Sequence, residues 1–576
     1  MSATRRAATD RRRRPDAPLG AGRYWFMLFI ILVALSALVG RVVYLQVIDR
    51  SFLQNQGDAR TLRVESIGAH RGMISDRNGD PLAISTPVIT LWANPQELPQ
   101  DPIQQTLLAK ALKVDPQQLE ARIARYSDHE FMYLRRQLTP AAAKPVLDLQ
   151  MPGVYARDEY KRYYPAGEVA AQLVGVTNVD DKGQEGLELA YNRYLTGQPG
   201  KRRVLKDRKG RLVRDLHLIE EAKPGGDLTL SIDLRLQYMA YRELAAGIRK
   251  NDADGGSLVM LDARTGEVLA MANLPSYNPN NRSDVDVRGL RNQAITDAIE
   301  PGSVMKPLAM SAALASDQFS PESIIDTSPG WMVVDGYTIR DFRNYGKLTP
   351  AGILLHSSNI GMSHIALSLP QDAIWNRYRE LGLGQPPGTG FPGENSGSLP
   401  STINLPRSAQ AAMAYGYGVA VTPLQLASAY TAIANDGKRL SPSLLKLNGE
   451  PDSEQVMSPR IAHELLAMLE KIVQPNAGGH LAMVPGYQIA GKTGTVRKVT
   501  STGYQEVEYR GLFAGIAPAS NPRIVTVVMI DNPKKGEYYG GLVAAPVFSR
   551  VVGSALRLLD VPPDAPPKAA EQESSP

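Results

Sequence analysis

The longest uninterrupted apolar run in the chain, YWFMLFIILVALSALVG, covers residues 24–40 and contains no charged residue. A helix of this length is at the short end of what spans a bilayer. Arg41 can direct its charge to the headgroups, which lets the following VVYL extend the span. Seven arginines and two aspartates precede the run, and such a basic tail stays in the cytoplasm. The pattern therefore predicts a cytoplasmic tail over 1–23 and a transmembrane helix over 24–46.

A cleaved signal peptide is the alternative interpretation of this run. Signal peptides have a shorter apolar core, followed by a small-residue cleavage site of the A-x-A kind. The apolar core here is long for a signal peptide, and no clear site of this kind follows it. We therefore expect an uncleaved signal anchor, with everything after about residue 48 outside the cytoplasm.

Mixed short strands and helical patterns follow the anchor over residues 47–225. In QQTLLAKALKVDPQQLEARIARY (104–126), leucine and alanine recur at helical spacing. SDRNGDPLA (75–83) and YYPAGE (163–168) are rich in turn-forming residues. We expect an extended module here, without an obvious catalytic cluster.

Residues 226–560 show strands at both ends and helical patterns between them, which is typical of an α+β domain built from an antiparallel sheet packed with helices. A helix is expected from about Asp233, and a hairpin over GSLVMLDARTGEVLAMAN (256–273). Further helices are predicted at 303–316, 349–370, 422–435 and 459–473, and strands at 486–499, 506–516 and 523–531. The Pro-rich segment 561–576 is expected to be disordered.

Composition narrows the class of function. The net charge is +6 with a pI near 9.1, but the tail over residues 1–23 alone carries +5. The basicity therefore does not mark a nucleic-acid-binding face, and we expect no nucleic-acid partner. The chain has no cysteine, which excludes disulfides and thiol catalysis. Its seven histidines are scattered and form no H-E-x-x-H, so we predict no metal site and no cofactor.

GYQIAGKTGT (486–495) satisfies the P-loop pattern G-x-x-x-x-G-K-[ST]. A P-loop needs a helix after its lysine, because the helix N-terminus holds the phosphate. The residues that follow, GTVRKVTSTGYQEVEY, are rich in β-branched residues and glycine, and they predict a hairpin instead. A segment outside the cytoplasm also lacks nucleoside triphosphates as a fuel. We therefore interpret this stretch as a strand with a different chemistry.

A serine nucleophile with a neighbouring base is the chemistry that EPGSVMKPLAMS offers. Ser303 and Lys306 are three residues apart, so on a helix their side chains are close enough for a hydrogen bond. Pro307 is tolerated only near a helix start, which fixes Ser303 at the helix N-terminus. There the backbone N–H groups favour an oxyanion. Taken alone, S-x-x-K is more often a surface serine and lysine.

Two further segments carry compatible groups. Ser357 and Asn359, in LLHSSNIGMSHIA, lie between two helical patterns, where they can project into a cleft or simply cap the second helix. On the strand KTGT, Lys492 supplies a cation, Thr493 and Thr495 supply hydroxyls, and Gly494 allows another chain to approach. An extended substrate can pair along such a strand.

In this order, S-x-x-K, S-x-N and K-T-G match the signature of penicillin-binding proteins and serine β-lactamases. Ser-Ser-Asn replaces the Ser-Asp-Asn of β-lactamases, which favours the penicillin-binding proteins. The chain further resembles class B penicillin-binding proteins, above all the division-specific FtsI type, over nearly its whole length except the two ends. The segments that carry this resemblance are AHRGMISDRNGDPLA (69–83), YYPAGEVAAQLVG (163–175), GQEGLELAYN (183–192), SIDLRLQ (231–237), AYGYGVAVTPLQLA (414–427) and GLVAAPVF (541–548).

The resemblance implies a peptidoglycan D,D-transpeptidase in the bacterial inner membrane, with an elongated pedestal over 47–225 and a periplasmic transpeptidase domain over 226–560. It implies stem peptides as substrates, β-lactams as covalent inhibitors, and a glycosyltransferase of the FtsW type and other division proteins as partners. Ser303 is then the nucleophile and Lys306 the base, Ser357 and Lys492 relay a proton, and Asn359 positions the substrate. Thr493, Gly494 and Thr495 bind the substrate, and the resemblance places these further residues in or beside the cleft: Tyr417, Arg497, Tyr509, Tyr538 and Tyr539.

Three alternatives stay open at this point. The chain is compatible with an elongation-type or sporulation-type class B enzyme, or with a second, conditionally used copy of the division enzyme. It is also compatible with a hydrolase, either a D,D-carboxypeptidase or a β-lactamase. The third alternative is a membrane receptor that senses β-lactams, although the short basic tail offers no obvious cytoplasmic output.

Overall fold

The computed structural model describes residues 21–51, 62–206, 212–283, 286–500 and 503–565. Most of the predicted basic tail, residues 1–20, lies outside the described residues, as do residues 566–576 of the segment expected to be disordered.

Before residue 225 the described chain forms seven strands and seven α-helices. The strands are β1 (Leu62–Ile67), β2 (Ile74–Ser75), β3 (Pro81–Ala93), β4 (Met132–Leu138), β5 (Val154–Tyr163), β6 (Gly200–Lys206) and β7 (Leu212–Glu220). The helices are α1 (Ala21–Val43), α2 (Pro102–Leu112), α3 (Pro116–Arg125), α4 (Pro140–Leu147), α5 (Ala171–Val174), α6 (Gly186–Ala190) and α7 (Asn192–Leu195).

The described residues after 225 form further strands and helices. The strands are β8 (Leu228–Thr229), β9 (Gly255–Asp262), β10 (Val268–Leu274), β11 (Ile325–Asp326), β12 (Trp331–Val334), β13 (Tyr337–Arg340), β14 (Lys347–Leu348), β15 (Lys438–Leu440), β16 (Ser453–Gln455), β17 (Ala490–Thr500), β18 (Gly503–Ala517) and β19 (Ile524–Asp531). The helices are α8 (Leu234–Asn251), α9 (Val287–Leu290), α10 (Gln293–Thr296), α11 (Lys306–Ala315), α12 (Pro350–His356), α13 (Asn359–Ser368), α14 (Ala373–Glu380), α15 (Arg407–Met413), α16 (Pro423–Ala434), α17 (Pro459–Glu470), α18 (Gly540–Val543) and α19 (Ala545–Leu558).

One unit of the structure consists of residues up to 67 together with residues 199–221. Its helix α1 continues through a π-turn (Tyr44–Ile48), and the 28-residue span contains an 18-residue stretch with a mean hydropathy of 2.6. No residue of α1 is buried against the rest of the protein. The helix therefore fits a single-pass membrane anchor, as predicted. In the same unit, β6 pairs antiparallel with both β1 and β7.

The second unit comprises residues 68–198 and 222 onwards. In its first part, β3 pairs antiparallel with β4 and with β5. Leu91 and Ala93 point to one face, where they share a core with α2, α3 and α4. Each of these helices begins with a capping side chain followed by proline, the arrangement expected at a helix start.

A buried ion-pair cluster joins three separate segments of this part. The Glu188 carboxylate accepts from the guanidinium groups of Arg71 and Arg162, each at 2.6 Å. All three side chains are at most 1% exposed. Because a buried charge is tolerated only when it is paired and hydrogen-bonded, the cluster fixes these segments relative to one another.

The catalytic part of the same unit is built on an antiparallel sheet with strand order β10-β9-β19-β18-β17. Helices α8 and α19 pack on one face, and α11, α16 and α17 belong to the core on the other face. Strands β9 and β19 are buried along almost their whole length, because helices cover both faces. The predicted α+β class is confirmed. Strand β17 lies at the edge of the sheet, next to the 3₁₀ turn Gly302–Met305 that carries the predicted nucleophile Ser303 (the nucleophile turn).

The P-loop alternative is excluded by this topology. After Lys492 the chain continues in β17 and turns back as the antiparallel β18, so the helix that a P-loop requires does not follow. The chain is also ordered slightly beyond residue 560, where disorder was expected to begin. The Asp564 carboxylate accepts from the Gln488 amide N–H at 2.8 Å, and Tyr487 donates to the Val561 carbonyl at 2.7 Å.

Candidate active site

Ser303 lies in a 3₁₀ turn, Gly302–Met305, that leads directly into α11. Pro307 occupies the first turn of that helix, as the sequence predicts. Gly302 has a φ of +60°, and a Cβ there would lie 2.3 Å from Val496 Cγ1. Only glycine combines this backbone conformation with such a close approach to β17, so the turn holds Ser303 against the edge strand.

Lys306 is the buried centre of the site. Its Nζ donates to Asn359 Oδ1 at 2.8 Å, to Ser357 Oγ at 3.1 Å and to the Ser357 carbonyl. Among the described residues it makes no hydrogen bond to Ser303, in contrast to the expectation from their spacing. Its Nζ is directed instead at the three acceptors on Ser357 and Asn359.

The Lys306 ammonium is electrostatically unfavourable in this position. Burial is the main cause that lowers its pKa well below the ordinary value, and the nearby Lys492 lowers the pKa further. The Asp341 carboxylate opposes part of this effect. A lysine of this kind loses its proton readily and can act as a general base near neutral pH.

Ser357 bridges the two lysines of the site. It ends α12 in the left-handed conformation, with a φ of +55°. Its Oγ accepts from Lys306 at 3.1 Å and from Lys492 at 3.2 Å. This hydroxyl therefore completes a chain of hydrogen bonds through which a proton can pass from one lysine to the other.

Lys492 is 1% exposed on β17 and points toward the same hydroxyl. Burial lowers its pKa to about 7. The side chain also donates to the Thr493 carbonyl at 3.1 Å. A lysine with this pKa changes its charge near neutrality, which suits a group that receives and returns a proton.

The remaining residues of the KTGT strand are held by two neighbouring segments. A Cβ at Gly494 would lie 3.0 Å from Val304 Cγ1 and 3.1 Å from the Pro301 carbonyl oxygen. Glycine is therefore required here because the nucleophile turn packs directly on the strand. Thr495 Oγ1 accepts from the Gly540 amide at 3.0 Å, while Thr493 and Thr495 stay partly exposed.

An aromatic and cationic group is formed by the five residues that the resemblance places in or beside the cleft: Tyr417, Arg497, Tyr509, Tyr538 and Tyr539. The Tyr509 and Tyr538 rings stack with centroids 4.1 Å apart, and Tyr538 stacks on Tyr539 at 4.5 Å. Arg497 pairs with Tyr509 across β17 and β18. Burial raises the pKa of Tyr417, and the charges that act on it include Arg497 and Tyr509. The structure thus gathers these residues near one another.

Asp341 contributes to the candidate active site although it lies in none of the three sequence motifs. It follows β13 and accepts from the Asn359 amide at 2.6 Å, from the Ile360 amide at 3.1 Å and from the Ser358 hydroxyl. Its partners lie 17 to 19 residues further along the chain, beyond the reach of a local sequence pattern. The only available signal is a carboxylate directly after a short strand.

Comparison with known proteins agrees with this geometry. Residues 256–553 match the family described as the penicillin-binding protein transpeptidase domain, and residues 66–230 match the penicillin-binding protein dimerisation domain. The chain belongs to the penicillin-binding protein family. In this penicillin-binding protein, Lys306 and Lys492 of the transpeptidase domain are both hydrogen-bonded to Ser357, beside the turn that carries Ser303.

Two relatives align with this penicillin-binding protein over nearly its full length. The probable peptidoglycan D,D-transpeptidase PbpC of Pseudomonas aeruginosa is 46% identical, covering 94% of this chain and 96% of its own. The peptidoglycan D,D-transpeptidase FtsI of Escherichia coli K12 is 42% identical, covering 98% and 96% respectively.

Solved structures show the same fold. Penicillin-binding protein 3 of Mycobacterium tuberculosis, complexed with aztreonam, is 29% identical with a TM-score of 0.68, covering 87% of this chain and 99% of that chain. The transpeptidase domain of penicillin-binding protein 3 from Burkholderia pseudomallei is 42% identical with a TM-score of 0.54, covering 58% and 98%.

Proposed function

We propose that this penicillin-binding protein is a serine-type peptidoglycan D,D-transpeptidase that cross-links stem peptides through an acyl-enzyme on Ser303. The observation that carries the proposal is the hydrogen-bonded array of Lys306, Ser357 and Lys492 beside the nucleophile turn. Two lysines with lowered pKa values around one hydroxyl provide both a base and a proton relay. Family membership and the names of both relatives support the same activity.

In the first half-reaction, Ser303 Oγ bonds to the carbonyl carbon of the penultimate D-alanine, and neutral Lys306 takes the hydroxyl proton. The carbonyl oxygen becomes an oxyanion, which the backbone N–H groups of Ser303 and Thr495 stabilise. The bond to the terminal D-alanine nitrogen then breaks. That nitrogen receives a proton through Ser357 Oγ and Lys492, and D-alanine leaves.

In the second half-reaction, an amine from a neighbouring stem peptide attacks the ester carbonyl. A new amide bond forms as the ester bond to Ser303 Oγ breaks, the proton that the amine loses returns to Ser303, and the two stems are cross-linked.

In the donor complex, before D-alanine leaves, Asn359 orients the peptide amide, and Thr493 and Thr495 bind the terminal carboxylate. Strand β17 offers its edge to the extended donor peptide, with Gly494 at the closest approach. The group Tyr417, Arg497, Tyr509, Tyr538 and Tyr539 lines the cleft.

A β-lactam resembles the donor in this scheme, because Ser303 opens its strained amide and stays acylated. Stable labelling is therefore the test of the proposal. Full-length protein in detergent is incubated with a fluorescent penicillin, and the label is followed after excess unlabelled penicillin is added. We expect a persistent label that Ser303→Ala abolishes. Rapid release of the label would identify a hydrolase, and labelling of Ser303→Ala would refute Ser303 as the nucleophile.

We further propose that the enzyme acts in septal synthesis during cell division, as the name FtsI of the E. coli relative suggests. The N-terminus is cytoplasmic, and the catalytic part is periplasmic in a bacterial inner membrane. An FtsW-type glycosyltransferase and other division proteins are the expected partners. The pedestal is assigned to residues 47–225 and the transpeptidase domain to residues 226–560.

A second candidate is a paralogous class B transpeptidase used only under particular conditions. The specific observation in its favour is that the relative with 46% identity carries a name other than FtsI, PbpC, whereas the relative named FtsI is 42% identical. Depletion in the source organism separates the possibilities. Filamentous cells support the division enzyme, rounded cells support an elongation enzyme, and normal shape under ordinary growth supports the paralogue.

A further inference from the structure

Asp341 stands out among the charged groups around the site because it belongs to none of the three motifs yet contacts one of them through both carboxylate oxygens. Oδ1 accepts from the backbone amides of Asn359 and Ile360, at 2.6 and 3.1 Å. Oδ2 accepts from the Ser358 hydroxyl. The first residues of α13 are therefore bound to a carboxylate that arrives from the end of β13.

These contacts satisfy groups that would otherwise be unpaired. The first amides of a helix have no partner within it, and a negative charge at that end is favourable. Ser358 is completely buried, and its Oγ also accepts from the Gly361 amide at 2.9 Å. Without Asp341, both the Ser358 hydroxyl and the Asn359 amide lose their acceptor.

The same contacts bear on the conformation of the catalytic segment. Ser357, directly before Ser358, has a φ of +55°, which non-glycine residues adopt only when their surroundings enforce it. Asn359 reaches Lys306 with its side chain while its backbone amide is bound to Asp341. The carboxylate thus fixes the residues directly after the point where the chain bends at Ser357.

The S-D-N form of the motif also contains a carboxylate, which can be compared with that of Asp341. The form found in class A β-lactamases has an aspartate at the middle position, where this chain has Ser358. A carboxylate is nevertheless present beside that position, because Asp341 supplies it from another segment. This chain thus places a carboxylate within hydrogen-bond distance of the middle residue of its motif.

We propose that Asp341 is a positioning residue for acylation, which holds Ser357 Oγ and Asn359 Oδ1 at hydrogen-bond distance from Lys306. The inference rests on the proposed function, because it concerns how that reaction is prepared. Asp341 touches neither the substrate nor Ser303; it acts through Ser358 and the backbone of α13.

Asp341 also acts on Lys306 electrostatically. The charged groups that act on Lys306 are Lys492 from β17, which lowers its pKa, and Asp341, which raises it. Replacing Asp341 by a neutral residue therefore lowers the pKa of Lys306 further. If neutral Lys306 is the base, the pH at which acylation declines on the acid side moves to a lower value, which a purely structural defect would not cause.

The test compares acylation rates with a fluorescent penicillin across acid and alkaline pH, using the full-length chain in detergent. For Asp341→Asn we expect a loss on the order of 10–100-fold at the optimum, since small displacements of catalytic groups cost this much. We also expect the acid limb to shift to lower pH. Asp335→Asn is the matched control, because Asp335 likewise accepts a backbone amide, from Ser408 at 2.7 Å, and should leave the rate unchanged.

An acylation rate of Asp341→Asn equal to that of the wild type would overturn the proposal. A lower rate that only follows a lower thermal stability, with the acid side of the pH profile unchanged, would also overturn it. Should this variant not fold, Ser358→Ala provides the second test. It removes the hydroxyl but keeps the Asp341 charge, so the rate should fall while the acid limb stays in place; an unaltered rate would refute the role. Failure of the wild type to acquire label would refute the proposed function instead.

Discussion

At the scale of single residues, the site combines two lysines that are buried against the same hydroxyl. Each lysine would be more favourable in water, and their mutual repulsion adds to the cost of burial. Burial leaves Lys492 with a pKa of about 7 and lowers the pKa of Lys306 well below its ordinary value. The arrangement is therefore expected to reduce stability in favour of reactivity, as is common in active sites.

This cost predicts how stability depends on pH. Between the folded pKa of Lys492, about 7, and its ordinary value of 10.5, the unfolded chain holds a proton that the folded chain lacks. The free energy of unfolding therefore rises with pH across this window, and the destabilisation is complete below it. In Lys492→Met the side chain at this position cannot be charged, so the free energy of unfolding should rise less with pH than in the wild type. We expect the change in Tm across this pH window to differ between the two proteins by on the order of a few °C.

Thermal unfolding of the wild type and of Lys492→Met, each at neutral and at mildly alkaline pH, provides the measurement. Lys498→Met is a suitable control, because Lys498 is paired with the Asp531 carboxylate at 3.2 Å and has no such burial. Parallel Tm curves for the wild type and Lys492→Met would show that Lys492 does not carry a depressed pKa.

At the scale of elements, the contact between the nucleophile turn and β17 determines where Ser303 lies relative to Lys492. Ala at position 494 would place its Cβ 3.0 Å from Val304 Cγ1 and 3.1 Å from the Pro301 carbonyl. The backbone oxygen cannot move as a side chain end can, so strand and turn must separate. We expect Gly494→Ala to reduce the acylation rate by about 100-fold, because Ser303 shifts relative to Lys306 and Lys492.

Acylation by a fluorescent penicillin, with circular dichroism to verify the fold, measures this effect. Gly449→Ala is the matched control, since no atom lies within 4 Å of a Cβ at that position. Equal rates for the wild type and Gly494→Ala would mean that the contact between turn and strand is not needed for the reaction.

Many of the elements were predictable from local sequence patterns. Ser458 caps the helix that Pro459 begins, and the hairpin of β9 and β10 follows from two apolar runs separated by the turn Asp-Ala-Arg-Thr-Gly. The three motifs likewise identified Ser303, Lys306 and Lys492 before their proximity was known. In contrast, the Asp341 contacts and the stack of Tyr509 on Tyr538 were not predictable in detail, because they depend on segments that only the folded chain brings together.

At the scale of the whole molecule, all proposed catalytic residues belong to the unit formed by residues 68–198 and 222 onwards, whereas the apolar helix belongs to the other unit. We therefore expect a variant that lacks residues 1–48 to leave the membrane fraction and still react with penicillin at the rate of the full-length protein. We expect the intact chain to be retained because the helix, which contains an 18-residue stretch with a mean hydropathy of 2.6, buries apolar side chains in lipid.

Membrane fractionation with an alkaline wash, followed by penicillin labelling of both fractions, tests this expectation. The full-length protein should stay in the washed pellet. A shortened chain that remains there would point to a second membrane attachment, and a soluble but unlabelled chain would show that the removed segment supports the site.

The order of strands in the catalytic sheet also constrains the order of events during synthesis. Strand β9 pairs with β19 through Asp262 and Ile524, and β17 and β18 complete the same sheet. Ser303 and Ser357 are therefore made long before the strands that must surround them. An incomplete chain that ends before Ile524 leaves the edge of β9 unpaired, and an unpaired apolar edge is prone to aggregation. We therefore expect the site to be complete only when almost the entire polypeptide has been made.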